Sequence, residues 1–204
     1  MNLALSKLAS LKSLPNKLTL ARIAVIPVLL VVYPLGHEYI FLRISCAALF
    51  AMAAITDFFD GYLARKFNNE SRIGALLDPI ADKLLITCTV ILLTNTGKLA
   101  AILGGLILCR EVAINGLRLA ASDHGFEISV SHLGKLKTFL QTGALFLLMV
   151  DDQNLRPIGM VGIWAALIVS YYSAYQYWIH FWENNKKGFQ EDSETKEESA
   201  LDNP

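Results

Sequence analysis

The chain has 204 residues, 54% hydrophobic and 18% charged, with a mean hydropathy of +0.43. Soluble domains carry roughly a quarter charged residues. Here the apolar residues also form runs long enough to cross a bilayer, which points away from a soluble bundle and toward an integral membrane protein. The formal net charge of zero hides an asymmetry that matters more than the sum, and no nucleic-acid partner is expected. Cys46, Cys88 and Cys109 lie inside apolar runs without metal-type spacing and read as small buried hydrophobes.

Residues 1–17 are apolar but punctuated by Lys7, Lys12 and Lys17, and are expected to form an interfacial segment ending near Pro15. A first span runs from Leu18 to Leu35, and Tyr33-Pro-Leu-Gly-His-Glu38 breaks it with two turn formers. The second span covers about Tyr39 to Thr56 and flows into an acidic stretch, with residues 66–73 as the polar link to the third span, Leu76 to Thr94. Asn95-Thr-Gly-Lys98 turns the chain into a fourth span, Leu99 to Leu119, and 120–134 forms a loop. The fifth span is Lys135 to Val150, and 151–157 is a break. The sixth, Ile158 to Trp182, ends in a belt of Tyr171, Tyr172, Tyr175, Tyr177, Trp178 and Trp182 suited to a membrane interface. Residues 183–204 hold seven acids and three lysines with little to bury, and are expected to be a disordered, solvated tail.

With helix-end residues included, one side of such a bundle receives 15 of the 18 lysines and arginines, leaving Arg43, Lys98 and Arg156 on the other. By the positive-inside rule both termini are cytoplasmic, and the expected fold is an all-α integral membrane bundle of six transmembrane helices spanning 18–182. The acidic stretch, 56–85, then lies at the cytoplasmic face.

That stretch carries Asp57, Asp60, Asp78 and Asp82. On helices, the i, i+3 and i, i+4 spacings put each pair on one face. An aspartate in a span costs roughly 2.5–3.5 kcal/mol even on lenient insertion scales, so four of them imply a cation or a wet cavity. Helices two and three, joined by a short link, bring two carboxylates each to adjacent ends, an oxygen-rich cluster suited to Mg²⁺ or Mn²⁺. Such ions grip phosphate oxygens, and a pair of them can clamp a displacement at phosphorus. Gly61 and Ala64 remove bulk beside the carboxylates, and Arg65 adds a cation able to hold phosphate through two N–H groups.

The full pattern is D-x2-D-G-x2-A-R-x8-G-x3-D-x3-D, filled by Asp57, Asp60, Gly61, Ala64, Arg65, Gly74, Asp78 and Asp82. It resembles the signature of the CDP-alcohol phosphatidyltransferases at every defined position. The resemblance implies a membrane-embedded, homodimeric enzyme of phospholipid synthesis that takes CDP-diacylglycerol as donor. It implies that Asp57, Asp60 and Asp78 ligate the divalent metals, with Asp82 as general base and further ligand. Asp57, Asp60, Gly61, Ala64, Arg65 and Gly74 would hold the donor's CDP part.

The acceptor is written elsewhere. Arg110 and Arg118, with Glu111 and Asn115 beside them, lie on the fourth span, and Lys135, Lys137, Thr138 and Gln141 open the fifth. Four cations toward one cytoplasmic half suit an acceptor that carries phosphate. Residues 110–118 (REVAINGLR), 134–138 (GKLKT) and the opening LPNKLTLARI are similar to the branch of the family whose acceptor is sn-glycerol 3-phosphate, placing that acceptor on Arg110, Arg118, Lys135 and Lys137. The resemblance covers most of 14–182 and implies the inner (cytoplasmic) membrane. Inositol phosphate, serine or phosphatidylglycerol are the alternative acceptors, and a small cation transporter is the rival from another class. Asn16, Thr19 and Arg22 could line the nucleotide site, although helix capping accounts equally well for the first two. His37, His124, His132 and His180 have no metal-like spacing and read as surface or interface residues.

Overall fold

A computed structural model describes residues 14–36, 39–67, 72–123 and 132–201, with side chains placed at 19–36, 39–56, 80–122, 133–179 and 181–182. They form six helices: α1 (Leu14–Leu35), α2 (Ile40–Phe67), α3 (Arg72–Asn95), α4 (Ala101–Asp123), α5 (His132–Val150) and α6 (Leu155–Leu201). The described residues contain no strand. The six helices match the six expected apolar runs. Each extends past its run at the end where the sequence turns polar, because intrahelical hydrogen bonds continue into any segment without a breaker.

The acidic stretch is carried on the ends of α2 and α3, as the sequence indicates. One boundary differs: α6 continues to Leu201, into the residues expected to be a disordered tail. Glu, Lys and Ala are good helix formers, and no proline occurs between Pro157 and Pro204, so nothing local stops the helix. The expected interfacial segment 1–17 lies mostly outside the described residues.

The chain divides into two compact units. The first joins Met1–Gly104 with Leu140–Ile163, and the second Gly105–Phe139 with Trp164–Pro204. In the first unit α1 packs against both α2 and α3. Its core is largely apolar: Leu29, Ala47, Phe50, Leu85, Leu93, Leu145, Leu148 and Ile163 are at most 2% exposed. Small residues bring α5 and α6 close, since a Cβ added at Gly162 would stand 2.9 Å from that of Ala144.

One end of this unit is tied by charge. Gly97, at φ 69°, ends α3 in a left-handed cap, with Lys98 N–H donating to Leu93 O and Gly97 N–H to Thr94 O. The cap turns Lys98 inward, where its Nζ donates to Tyr33 Oη at 3.0 Å and lies 3.1 Å from Asp151 Oδ2. Arg43 Nη1 reaches the same oxygen at 2.9 Å, and Tyr33 Oη donates to Met149 O. Asp151 itself sits at φ 55°, an uncommon conformation for a residue with a side chain. The start of α2 and the turns after α1, α3 and α5 therefore meet at this end. The three cations that charge counting assigned to the sparse side all belong to it: Arg43 and Lys98 by ion pair, and Arg156 through a bond to Gly97 O.

In the second unit α4 and α6 run alongside each other. Arg110 Nε donates to Ser170 O at 3.2 Å, Tyr171 Oη to Leu106 O at 3.1 Å, and Arg118 Nη2 to Tyr177 Oη at 3.1 Å.

Candidate active site

Asp57, Asp60, Gly61, Ala64 and Arg65 occupy the last turns of α2, and Gly74, Asp78 and Asp82 the first turns of α3. The link 68–71 lies outside the described residues, but four residues can separate two helix ends by at most about 19 Å. At about 1.5 Å per residue, Asp60 and Asp57 lie about 10 and 15 Å from the end of α2. Asp78 and Asp82 lie about 9 and 15 Å from the start of α3. The two pairs are thus at matched depth on consecutive helices of the first unit, at the end away from the Asp151 cluster.

The side chains of Asp57, Asp60, Ala64, Arg65 and Asp78, and the surroundings of Gly61 and Gly74, fall outside the described residues. Asp82 is described and half-buried. Among the described residues no group of three His, Cys, Asp or Glu side chains stands together. The donor set still suits a hard divalent cation, since it is all carboxylate, divided two and two between adjacent helix ends.

On α1, Thr19 and Arg22 are each 2% exposed. Arg22 lies about 12 Å from the start of its helix, within the depth range of the aspartates on theirs. The sequence places it both among the inside cations and among residues able to line the nucleotide site. Its place within an apolar span is the sequence signal for more than anchoring, and its burial there agrees, since a charged side chain in a span is costly.

The expected acceptor residues are in the second unit. Arg110 and Lys137 are buried, Arg118 is half-buried, and Lys135 is exposed. The structure adds a partner that the sequence reading merely placed nearby. Glu111, 8% exposed, forms an ion pair with Lys137 through Oε1, and Arg110 Nη1 lies 3.5 Å from the same oxygen. Arg118 stacks over the Tyr177 ring at 5.2 Å as well as bonding its hydroxyl. The aromatic belt on α6 thus has an inward face, Ser170 and Tyr177, that receives the α4 arginines. Two buried polar atoms here, Arg118 Nε and Ser173 Oγ, have no hydrogen-bond partner among the described residues. Buried donors are seldom left so.

Residues 12–172 match the CDP-alcohol phosphatidyltransferase family. The chain is 41% identical over 172 residues to the CDP-diacylglycerol–glycerol-3-phosphate 3-phosphatidyltransferase of Rickettsia typhi, covering 82% of this chain and 96% of the relative. It is 35% identical over 185 residues to the protein of that name from Bacillus subtilis, covering 84% and 96%. With that from Pectobacterium atrosepticum the identity is 33% over 170 residues, covering 81% and 92%. The match takes in both units, with the eight-position motif on α2 and α3 and the cations on α4 and α5. The chain belongs to the CDP-alcohol phosphatidyltransferase family.

Proposed function

We propose that the protein transfers the phosphatidyl group of CDP-diacylglycerol to sn-glycerol 3-phosphate, giving phosphatidylglycerophosphate and CMP. The observation that carries this reading is the complete motif at matched depth on α2 and α3, in a chain whose relatives bear that activity in their names. The acceptor follows from the three buried or half-buried cations Arg110, Arg118 and Lys137, which suit a phosphate better than a neutral alcohol.

The reaction is placed at the cytoplasmic face of the inner membrane, in a six-span homodimer with both termini inside. Outward apolar side chains on every helix favour this: Val31, Phe41, Ile91, Ile102, Phe139 and Ile168 are all more than half exposed, a surface suited to lipid. Leu133–Val150 and Leu155–Ile179 are long and apolar enough to span, and shorter apolar helices cover Thr19–Leu35 and Ile40–Thr56.

Asp57, Asp60, Asp78 and Asp82 would hold the divalent ions, Mg²⁺ or Mn²⁺, two in number. Bound there, the ions supply charge neutralisation for the diphosphate and the departing CMP. Gly61, Ala64 and Gly74 leave room for the nucleotide, and Arg65 offers paired N–H donors to its phosphates. Arg110, Arg118 and Lys137 hold the acceptor's phosphate, with exposed Lys135 at the approach. Asp82 accepts the proton of the acceptor's 1-hydroxyl. That oxygen bonds the lipid-side phosphorus, and the bond from phosphorus to CMP breaks. A carboxylate is a weak base for an alcohol, so proton transfer comes late in the displacement.

The test is CMP release from CDP-diacylglycerol by purified protein, with glycerol 3-phosphate, inositol phosphate, serine and phosphatidylglycerol supplied in turn. Release only with glycerol 3-phosphate is expected, and EDTA should abolish it. Release with another acceptor instead would reject the substrate, and release undiminished by EDTA would reject the metal.

A further inference from the structure

The Glu111 carboxylate is unexplained by the transfer chemistry. It is 8% exposed, and a buried carboxylate beside a phosphate site is costly in two ways: it is desolvated, and it repels the anion the site is meant to bind. It is also well engaged, since one oxygen, Oε1, meets both Lys137 Nζ and, at 3.5 Å, Arg110 Nη1. Two of the three enclosed cations therefore turn to the same acid.

Counting charge gives that acid a purpose. Among the described residues, Arg110, Arg118 and Lys137 against Glu111 leave two positive charges, while Lys135 is exposed and screened by solvent. A phosphate monoester carries about −1.5 to −2 at neutral pH. The set as built balances such an anion, and without Glu111 it would exceed it.

We propose that Glu111 is a competing counter-ion built into the acceptor site. Before the acceptor binds, it holds Lys137 and Arg110 in place. When the acceptor's phosphate enters, the two cations are shared with it, and the carboxylate's repulsion limits how tightly the anion stays. Because the lipid product retains the same phosphate, that limit speeds product departure. Glu111 thus acts through Arg110 and Lys137 and is a positioning residue. The inference rests on the acceptor reading above.

The sign of its effect separates this role from an ordinary structural ion pair. Removing a full charge a few ångström from a phosphate outweighs the cost of re-ordering one lysine side chain. Glu111→Gln should therefore tighten anion binding, where loss of a merely structural pair would loosen it or unfold the protein.

The experiment uses the purified full chain, assayed by CMP release, with inorganic phosphate as competitive probe against the acceptor. For Glu111→Gln, the KM for glycerol 3-phosphate and the inhibition constant of phosphate should each fall by about fivefold or more, a shift of the size one nearby charge produces. Turnover should fall as product leaves more slowly, with the KM for CDP-diacylglycerol unchanged within about twofold. Lys137→Met, leaving one net positive charge, should raise the acceptor KM by about tenfold. The double variant restores two, and should return both constants to within about threefold of the unaltered protein. An acceptor KM that rises or stays unchanged in Glu111→Gln overturns the proposal. If that variant fails to fold, the double variant decides: constants still as poor as in Lys137→Met overturn it. Should the unaltered protein use a different acceptor, the substrate reading fails by itself, and competition by inorganic phosphate against that acceptor still tests Glu111.

Discussion

Replacing Asp151 with asparagine should loosen the end of the bundle opposite the aspartates without touching the chemistry. Asn tolerates the left-handed backbone at φ 55°, so the change isolates the charge. The carboxylate is 2.9 Å from Arg43 Nη1 and 3.1 Å from Lys98 Nζ, and the exposures of Arg43, Lys98 and Asp151 are 19%, 9% and 18%. Taking one partner from a buried pair costs about 3–5 kcal/mol. Since close to a fifth of Arg43 and of Asp151 still meets solvent, about 2–3 kcal/mol is the better figure here. At about 2–4 °C per kcal/mol for a chain of this size, the unfolding midpoint should fall by about 4–12 °C. Tryptophan fluorescence in detergent micelles at a fixed scan rate measures it, because unfolding of such proteins is often irreversible. Turnover at 25 °C should stay within about twofold, as the cluster lies at the other end of α2 and α3 from the carboxylates. A midpoint within about 1 °C of the unaltered protein would mean that the cluster carries no net stability, and the reasoning from burial would fail.

Lys98 lies in the turn after α3, and burial lowers its pKa below the ordinary 10.5, with the hydrogen bond to Asp151 pulling it partly back. The folded state therefore gives up this proton before the unfolded state does, so stability should rise with pH from the folded pKa up to 10.5 and level off above it. Lys98→Met should remove that rise, as seen in the difference between the two midpoints across an alkaline pH series. Asp82→Asn should cut turnover by about 10²–10⁴-fold while binding of a CDP-diacylglycerol analogue persists. Near-normal turnover in folded protein would end its assignment as base. Tyr177→Phe removes the hydroxyl that holds Arg118 at 3.1 Å but keeps the ring, and should raise the acceptor KM about two- to fivefold with the donor KM unchanged. Equal changes in both constants would place Arg118 outside acceptor binding.

The helices were legible because each apolar run is bounded by its own turn chemistry. Gly97 and Lys98 after α3 illustrate it, with a left-handed cap where a glycine was available. The motif was legible because its eight positions lie within two consecutive helices, where spacing alone fixes face and depth. The pairing of Arg43 with Asp151 was not legible, being a contact between residues 108 apart. No local pattern distinguishes such a pair from a solvated charge at a helix end and another in a turn. The available signal was that every break on the sparse side carries a charged residue, and that the one at 151–157 opens on two adjacent aspartates. Glu111 was named beside Arg110 and Arg118, but its pairing was hidden for a similar reason. Its neighbour Arg110 was visible in sequence, but its ion pair with Lys137 exists only once α4 and α5 are brought together. The continuation of α6 to Leu201 was not legible from polarity, since Glu, Lys and Ala favour helix in a segment that has little to bury.

The account stands most directly on the lipid made. Supplying CDP-diacylglycerol and isotope-labelled glycerol 3-phosphate to the purified protein, and weighing the lipid product by mass spectrometry, should give phosphatidylglycerophosphate carrying the label, with one CMP per lipid. An unlabelled lipid product, or CMP formed with no new lipid, would contradict the transfer itself.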